Sequence, residues 1–244
     1  MQVSVGTGRH GIGEMAEGQT STTGDISEIY LAKPAAYFSN ARADIVARLH
    51  TGSDSAILEL GCGAGGTGRA AMAANKAGRY VGLELSETAA AAASAHLSEV
   101  VIGNVETMDL SRFHGVFDAL IVSEVLEHLV DPWTVLERLA QCLKPGGKLY
   151  ASSPNIAHWA VIWNLTLGRF SYQAEGIMDQ THLRWFTPRS YRALVEGAGF
   201  DEVTVDPVTP LRWKAALADR LTGGRLRHLY TTQIMAIGTR RHGG

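Results

Sequence analysis

The residues that could do chemistry begin with a glycine-rich turn directly after an acidic strand end. Residues 57–68 have the sequence Ile-Leu-Glu-Leu-Gly-Cys-Gly-Ala-Gly-Gly-Thr-Gly. Glycines at 61 and 63 lack the Cβ atom that would keep a ligand away from the backbone, and the helix expected next offers free N–H groups. The spacing of Gly61, Gly63 and Gly66 also fits a dinucleotide fingerprint, but Glu59 would repel a pyrophosphate. The turn therefore favours a ligand that carries positive charge.

Further polar residues follow later apolar runs of the sequence. Glu84 ends the second run, Ser123 and Glu124 end the fourth, and Asn155 ends the fifth. Because ligands of parallel sheets bind at the carboxyl ends of the strands, these side chains are expected near the glycine turn. Glu84 lies roughly 20 residues beyond the glycines, where a carboxylate can accept hydrogen bonds from both ribose hydroxyls. Dinucleotides share that requirement, so Glu84 predicts a ribose without selecting the ligand.

Two histidines with neighbouring acids could move a proton. Residues 124–128 are expected to form one helical turn, so that Glu124 and His128 face the same side. In residues 176–188, simple packing does not require Asp179, His182 and Arg184 together. A neutral histidine is the usual base near pH 7, with a carboxylate to hold its tautomer, and residues three apart meet if the block is helical. The alternative is a purely structural role, in which His182 and Arg184 form hydrogen bonds to the backbone.

In combination, these blocks resemble the class I S-adenosylmethionine-dependent methyltransferases. The turn is similar to their motif (V/I)L(D/E)xGCGxG, and residues 117–132 are similar to FDxI…(D/E)VLEHLxDP. Residues 176–188 resemble the GIxDxTHxRxFT block of a small bacterial subgroup. The resemblance covers residues 35–206, and its motifs are specific in combination.

The resemblance implies S-adenosylmethionine as the cofactor, since its ammonium and sulfonium groups suit Glu59. It implies that the cofactor is held by Glu59, Gly61, Gly63, Glu84, Leu85, Asn104, Val105 and Ser123. Asn104 stands where the family usually has Asp, although its amide oxygen can still accept a hydrogen bond from the adenine amino group. Acceptor contacts are expected from Glu124, Glu127, Asn155 and Arg184. His182, Asp179 and His128 are the expected catalytic residues.

The implied reaction is methyl transfer to a small-molecule or glycan acceptor. A sugar hydroxyl, in the context of polysaccharide synthesis, is the first expectation; a quinone-like or natural-product hydroxyl is the second, and an amine the third. This ranking depends on family analogy. Two other classes stay open, namely an NAD-dependent oxidoreductase and a non-catalytic cofactor-binding module.

Alternating strands and helices predict an α/β fold with a doubly wound, mostly parallel sheet. The resemblance implies seven strands, the last antiparallel. A single domain is expected over residues 26–240, with residues 154–188 as an acceptor-side insert and the glycine-rich residues 1–25 as a flexible segment. Tyr30 and Tyr37 are expected to pack helices or line the site.

Several element boundaries are also predicted. Helices are expected over residues 26–49 (one or two, interrupted at Pro34), 70–77 and 156–167, the last as core or cover. A turn at 144–147 should precede a fifth strand at 148–152, and the seventh strand should span 230–238.

Composition limits the remaining functional classes. The 244 residues, 45% hydrophobic and 19% charged, suffice for one substantial core, and the net charge of −2 gives no basic surplus for nucleic acid. The arginines at 225, 227, 240 and 241 are expected to be a solvated face. Cys62 and Cys142 form no CxxC pair, so neither a metal site nor a disulfide is expected. No apolar run spans a bilayer and no signal peptide is visible, which predicts a cytoplasmic protein.

Overall fold

A computed structural model describes residues 40–242, which form one seven-stranded sheet in the order β3-β2-β1-β4-β5-β7-β6. The strands are β1 (Ala56–Leu60), β2 (Arg79–Glu84), β3 (Glu99–Ile102), β4 (Phe117–Ser123), β5 (Leu143–Pro154), β6 (Phe200–Pro207) and β7 (Gln233–Arg240). Strands β1–β5 are parallel, whereas β7 pairs antiparallel with both β5 and β6. The predicted doubly wound fold with an antiparallel last strand is confirmed.

Seven α-helices lie among the described residues. They are α1 (Ala43–Arg48), α2 (Gly66–Ala73), α3 (Glu87–Ala93), α4 (Pro132–Cys142), α5 (Trp159–Thr166), α6 (Pro188–Gly197) and α7 (Trp213–Leu221). Three of these helices begin with residue types that favour a helix N-terminus. Ser86 accepts a hydrogen bond from the Ala89 N–H, and Asp131 accepts one from the Thr134 N–H, with Pro132 at the first position of α4. Pro188 begins α6 in the same way.

The core has two layers because strand residues alternate between the faces of the sheet. Leu58 packs with α4 and α6 on one face, whereas its neighbour Ile57 packs with α1 and α3 on the other. Both faces are thus covered by helices, as a parallel sheet requires.

Some predicted boundaries are wrong. Helix α2 begins at Gly66 and ends at Ala73, so the last glycines of the motif belong to the helix and not to the turn. Strand β5 begins at Leu143, and the expected turn at 144–147 is an irregularity within its pairing with β4. Tyr230 lies in a 3₁₀ helix before β7. Of the helices expected over residues 26–49, the described part is α1.

Helix α5 differs from its expected role as core or cover. Within it, the one buried residue is Val161, and Trp159 and Trp163 are 54% and 58% exposed. The expectation failed because an apolar composition alone does not show which surface a helix covers.

Residues 1–25, Tyr30 and Tyr37 lie outside the described residues, so their predicted roles stay predictions. Within residues 40–242, no helix has the length and apolar composition needed to cross a bilayer.

Candidate active site

The glycine turn lies between β1 and α2 and has the backbone conformation that its sequence predicts. Gly61, Gly63 and Gly65 have φ angles of 70°, 53° and 79°, in the left-handed region that favours glycine. A Cβ atom at Gly61 would lie 2.6 Å from Cγ2 of Val125. The turn therefore depends on glycine at this position for both conformation and space.

Glu59 lies under this turn and is almost completely buried. Its Oε2 atom accepts a 2.8 Å hydrogen bond from the Tyr80 hydroxyl. Burial raises the pKa of the Glu59 carboxyl to about 7, although the Tyr80 and Thr67 hydrogen bonds act in the opposite direction. A cationic group placed against Glu59 would favour its ionised form.

Glu84 fixes the turn as well as facing a pocket. Its carboxylate accepts hydrogen bonds from the backbone N–H groups of Gly63 at 2.8 Å and of Leu85 and Ser86 at 2.9 Å. A carboxylate has about four acceptor sites, so three backbone donors leave about one for a ligand. The expectation that Glu84 accepts hydrogen bonds from both ribose hydroxyls stays a prediction.

A small pocket of about 100 Å³ lies at the carboxyl ends of β1, β2 and β3. Predicted cofactor residues Gly61, Glu84, Leu85, Asn104 and Val105 line it. The Asn104 side-chain oxygen accepts a hydrogen bond from the Glu106 N–H at 2.9 Å, which leaves its second lone pair for an amino group. A mainly apolar slot with these few acceptors suits a nucleoside.

A large cavity of about 350 Å³ lies next to the small pocket, and the two share Gly61, Glu124, Val125 and His128. The remaining predicted residues that line it are Glu59, Gly63, Ser123, Glu127, Asp179 and His182. The structure therefore brings the motif after β1, the motif after β4 and the 176–188 block to one place.

Arg42 is a cavity residue that the sequence analysis missed. Its guanidinium binds both carboxylate oxygens of Asp44 at 2.9 Å and donates to the hydroxyls of Ser152, at 2.8 Å, and Ser123. Glu124 accepts a 2.7 Å hydrogen bond from the same Ser152 hydroxyl. Arg42 precedes the first strand, where no motif distinguishes it from an ordinary helix residue.

The conformation of residues 124–128 differs from the predicted helical turn. Glu124 has a φ angle of 55°, and only Leu126–His128 form a 3₁₀ helix. A left-handed residue is uncommon outside glycine and is found at functional sites. It redirects the chain at the end of β4 so that Glu124 and His128 still line one cavity.

Backbone carbonyls define the tautomers of both site histidines. The Nδ1 atom of His182 lies 3.2 Å from the Ile177 carbonyl oxygen, and that of His128 lies 3.1 Å from the Thr181 carbonyl oxygen. A carbonyl can only accept, so each Nδ1 carries a proton. The rings are 4.8 Å apart, edge to face. Two imidazole bases thus meet in the large cavity.

The 176–188 block is a series of turns up to the start of α6, so the helix that would bring Asp179 and His182 together by their spacing is not formed. Asp179 Oδ1 accepts hydrogen bonds from the Thr181 N–H at 2.8 Å and its hydroxyl at 2.7 Å. Because that hydroxyl donates to Asp179, its oxygen can accept from Nδ1 of His128, 3.2 Å away. Asp179 therefore orients His128 through Thr181, a residue that the sequence analysis did not select.

Glu127 completes a group with the two histidines. It is 1% exposed, and its Oε2 accepts a hydrogen bond from the Ser153 hydroxyl. Burial, with Glu124 nearby, raises the pKa of Glu127 well above its usual range. Possible metal-binding atoms of Glu127, His128 and His182 lie within 4.8 Å of one another. The three residues are too far apart in the sequence for their spacing to indicate this group. The expectation that no metal binds stays a prediction.

Among residues 40–242, those lining the small pocket and the large cavity do not include Asn155 or Arg184. The Asn155 amide donates to the His228 and Thr231 carbonyls, and its oxygen accepts from the Ala157 N–H. Arg184 donates to the Leu183 and Val130 carbonyls and stacks on Trp133. Both were expected to contact the acceptor; in this structure they hold the insert in place.

Comparison with known proteins agrees with this geometry. Residues 35–205 match the family described as a methyltransferase domain. A ubiquinone biosynthesis O-methyltransferase of Aromatoleum aromaticum is 32% identical over 148 residues, which are 58% of this chain and 59% of the relative. An uncharacterized 37.1 kDa protein in transposon TN4556 of Streptomyces fradiae is 29% identical over 173 residues, 68% of this chain and 49% of the relative. The chain therefore spans about half the length of the curated relatives it matches.

A solved structure of a SAM-dependent methyltransferase from Archaeoglobus fulgidus has the same fold. Its TM-score is 0.61 at 16% identity, covering 84% of this chain and 96% of that one. The fold is that of a class I methyltransferase, with the small pocket and the large cavity side by side at the carboxyl ends of its strands. The chain belongs to the methyltransferase domain family.

The described residues fit S-adenosylmethionine, the cofactor that the resemblance implies. The glycine turn gives close backbone approach, the small pocket has the polarity of a nucleoside site, and the buried acid Glu59 suits a cation. A dinucleotide would instead place its pyrophosphate near that acid.

Proposed function

We propose that this chain methylates a hydroxyl of a quinone-like, phenolic acceptor. The observation that supports this proposal is the pair of imidazoles, with ring centroids 4.8 Å apart and each Nδ1 held by a backbone carbonyl, that lines a cavity beside the glycine turn. When bound, S-adenosylmethionine supplies a methyl group on a positively charged sulfur. Glu59, Gly61, Gly63, Glu84, Leu85, Asn104, Val105 and Ser123 would hold it.

The protein residues would position the acceptor hydroxyl and remove its proton. We assign His182 as the base, since it lines the large cavity and the Ile177 carbonyl holds its ring at Nδ1. The neutral imidazole would take the acceptor's proton. His128, held by Thr181 and Asp179, would orient the same hydroxyl. Orientation in a closed cavity and proton removal together account for the catalysis that a direct displacement needs.

The acidity of the hydroxyl favours a phenol over a sugar. A phenol has a pKa of about 10, whereas an aliphatic hydroxyl is close to water, at about 15.7. Against an imidazole of about 6.5, full proton transfer costs roughly 5 kcal/mol for the phenol and roughly 12 kcal/mol for the aliphatic hydroxyl, at about 1.36 kcal/mol per pKa unit. A histidine base is thus better matched to the phenol.

Two further observations support a quinone-like acceptor. The relatives named as ubiquinone biosynthesis O-methyltransferases reach 38% identity, over 104 residues. In addition, Glu175 and Gly176 of the large cavity continue directly into Ile177 and Met178, which line a second cavity of about 350 Å³. One side of that lateral cavity, formed by Val161, Leu165 and Phe170, would contact an apolar substituent, whereas Asn164, Arg169 and other polar residues line the rest.

A sugar hydroxyl, the first expectation from the sequence, is the second candidate. Its support is the polar rim of the large cavity, which contains Asn40, Arg42, Glu175 and Gln233.

The test measures transfer of labelled methyl from S-adenosylmethionine to two acceptor panels. One contains catechols and hydroquinones with and without short prenyl tails; the other contains nucleotide sugars and glycans. We expect turnover on the phenols, with a lower KM for tailed ones. Turnover confined to the sugar panel would reject the phenolic proposal, and turnover on neither, with intact cofactor binding, would favour a non-catalytic module.

A further inference from the structure

Helix α5 and the segment after it expose an apolar ridge, which we define as Trp159, Ile162, Trp163, Leu165, Leu167, Phe170 and Tyr172. Each of these side chains is at least 40% exposed. Single exposed apolar residues are ordinary, but seven within one short stretch are not. Water contact over such a ridge is unfavourable, at about 25 cal/mol per Å² of apolar surface. The ridge therefore indicates a surface that is covered in use.

Helix α7 has an apolar face that nothing in the described part of the chain buries. Trp213, Leu217 and Leu221 are 72%, 52% and 78% exposed, and their spacing of four places them on one side of the helix. None of the helix's residues is buried. An isolated helix of this length is marginal in water, so burial of its apolar side would stabilise it.

Positive charge surrounds that apolar face. Exposed cationic residues at 212, 214, 220 and 225 lie on or beside α7, and no ion pair joins them to another described residue. The nearby Arg227 is paired with Asp219 at 2.9 Å. This basic segment belongs to a chain whose net charge is −2. The positive charge is therefore local to this surface.

Both surfaces lie at the end of the sheet where β5 and β6 terminate and where the large cavity opens. Helix α5 follows the end of β5, and α7 connects β6 to β7. Pairing of Pro154 with Gln233 and of Pro207 with Ile234 places these strand ends side by side. Pro154 and Gln233 also line the large cavity.

We propose that α5 and α7 dock this chain onto the surface of an anionic lipid bilayer. Tryptophan and tyrosine favour the boundary between water and hydrocarbon, and basic residues beside an amphipathic helix are attracted to anionic headgroups. A second copy of the chain fits less well, because a two-fold contact would bring the basic segments together. This inference goes beyond the proposed function, and it does not depend on which acceptor is methylated.

The experiment mixes the full chain with vesicles and measures co-sedimentation and tryptophan emission. One set of vesicles contains phosphatidylglycerol and phosphatidylcholine, and the other contains phosphatidylcholine alone. Three of the chain's five tryptophans lie at 159, 163 and 213, so docking should shift the emission to the blue. We expect binding to the anionic vesicles that weakens as salt is raised.

Two variants and a matched control locate the surface. Trp159→Ser with Trp163→Ser removes the centre of the ridge, and Arg212→Glu with Lys214→Glu reverses charge on α7. At about 1 kcal/mol per basic residue near the membrane, reversing two should weaken binding at least about tenfold. The control, Arg112→Glu with Arg241→Glu, makes the same charge change at exposed ion pairs near the opposite end of the sheet.

Calorimetric binding of S-adenosylmethionine shows that each variant is folded, because none of these residues lines the small pocket or the large cavity. Failure of the wild-type chain to bind anionic vesicles overturns the proposal. So does an equal loss in the control, or a concentration-dependent dimer whose formation alone accounts for the emission shift. Vesicle binding without methyl transfer to phenols would reject the acceptor proposal and leave this one standing.

Discussion

The small pocket and the large cavity, which together form one cleft, are built from different parts of the chain. Around β1 and β2, the backbone shapes the site, through left-handed glycines and N–H groups that donate to Glu84. At the ends of β4 and β5, side chains shape the site, with His128 and His182 held by backbone carbonyls of an irregular insert. A backbone site tolerates few residue types and therefore has a sequence motif, whereas a side-chain site depends on how distant segments meet. Substitutions should separate the two sides, as binding defects and turnover defects.

The largest effect is expected from His182→Ala on the side-chain half of the cleft. Loss of the base should lower kcat by about 10²–10⁴-fold, the usual contribution of general base catalysis, while the Kd for S-adenosylmethionine stays the same. Steady-state kinetics on a phenolic acceptor and calorimetry measure the two quantities. His114→Ala, at an exposed position away from the cleft, is the matched control. An unchanged kcat would show that His182 is not the base.

The second effect belongs to the backbone half and should appear in binding. Gly61→Ala would place a Cβ 2.6 Å from the Val125 side chain at a φ of 70°, which costs about 1–2 kcal/mol for the backbone alone. We expect the Kd for S-adenosylmethionine to rise at least about tenfold. Gly52→Ala is the control, because nothing lies within 4 Å of its Cβ.

Val125→Ala sharpens the same experiment. If the clash with Val125 contributes, this second substitution should restore part of the affinity in the Gly61→Ala background. Normal cofactor binding by Gly61→Ala itself would show that this glycine is not needed for the site.

The same contrast explains how much the sequence predicted. The place of Gly61 and Glu84 at the small pocket and the doubly wound sheet were predictable because a βαβ unit with a backbone site repeats a local pattern. The position of His182 in the large cavity was also expected, from the resemblance of its block. The partners of the two histidines were not expected: the Ile177 carbonyl for His182 and the Thr181 carbonyl for His128. Every residue has a backbone carbonyl, so only the folded turns show which ones face the rings.

Arg42 and α5 show two other limits. Arg42 enters the site through contacts with Ser123 and Ser152, which lie far along the chain, so no local spacing marks it. The apolar composition of α5 predicted burial, yet Trp163 is 58% exposed. Composition states what a helix prefers to contact, and only the fold shows whether this chain provides that contact.

A third, smaller effect concerns pH on the backbone half. Burial raises the pKa of Glu59 to about 7, so below pH 7 this acid is largely protonated without ligand. If the ligand's ammonium requires the anion, affinity should rise by up to about tenfold per pH unit until pH 7 and then level off. Binding near pH 6 should release a proton. Calorimetry in buffers of different ionisation enthalpy measures this, and Glu59→Gln should abolish the dependence.

In the protein without ligand, the free energy of unfolding depends on pH in the opposite direction from the binding affinity. A carboxyl whose folded pKa exceeds its unfolded value binds more protons when folded, so its contribution to stability falls as pH rises from about 4.5 toward 7. Wild type should therefore lose unfolding free energy relative to Glu59→Gln over this interval. A flat difference between the two would place the pKa of Glu59 near its ordinary value.

The smallest effect is expected from chelation, which tests the side-chain half of the cleft in a different way. If the Nε2 lone pair of His182 takes the proton, EDTA should leave kcat unchanged. Added Zn²⁺ should inhibit, because Glu127, His128 and His182 present two imidazoles and a carboxylate within 4.8 Å of one another, and a bound metal occupies the base. Inhibition should weaken at acid pH, where protons compete for the imidazoles. Turnover lost on chelation and restored by a divalent metal would instead make these three residues ligands of a catalytic metal, with the acceptor hydroxyl acidified by the metal in place of His182.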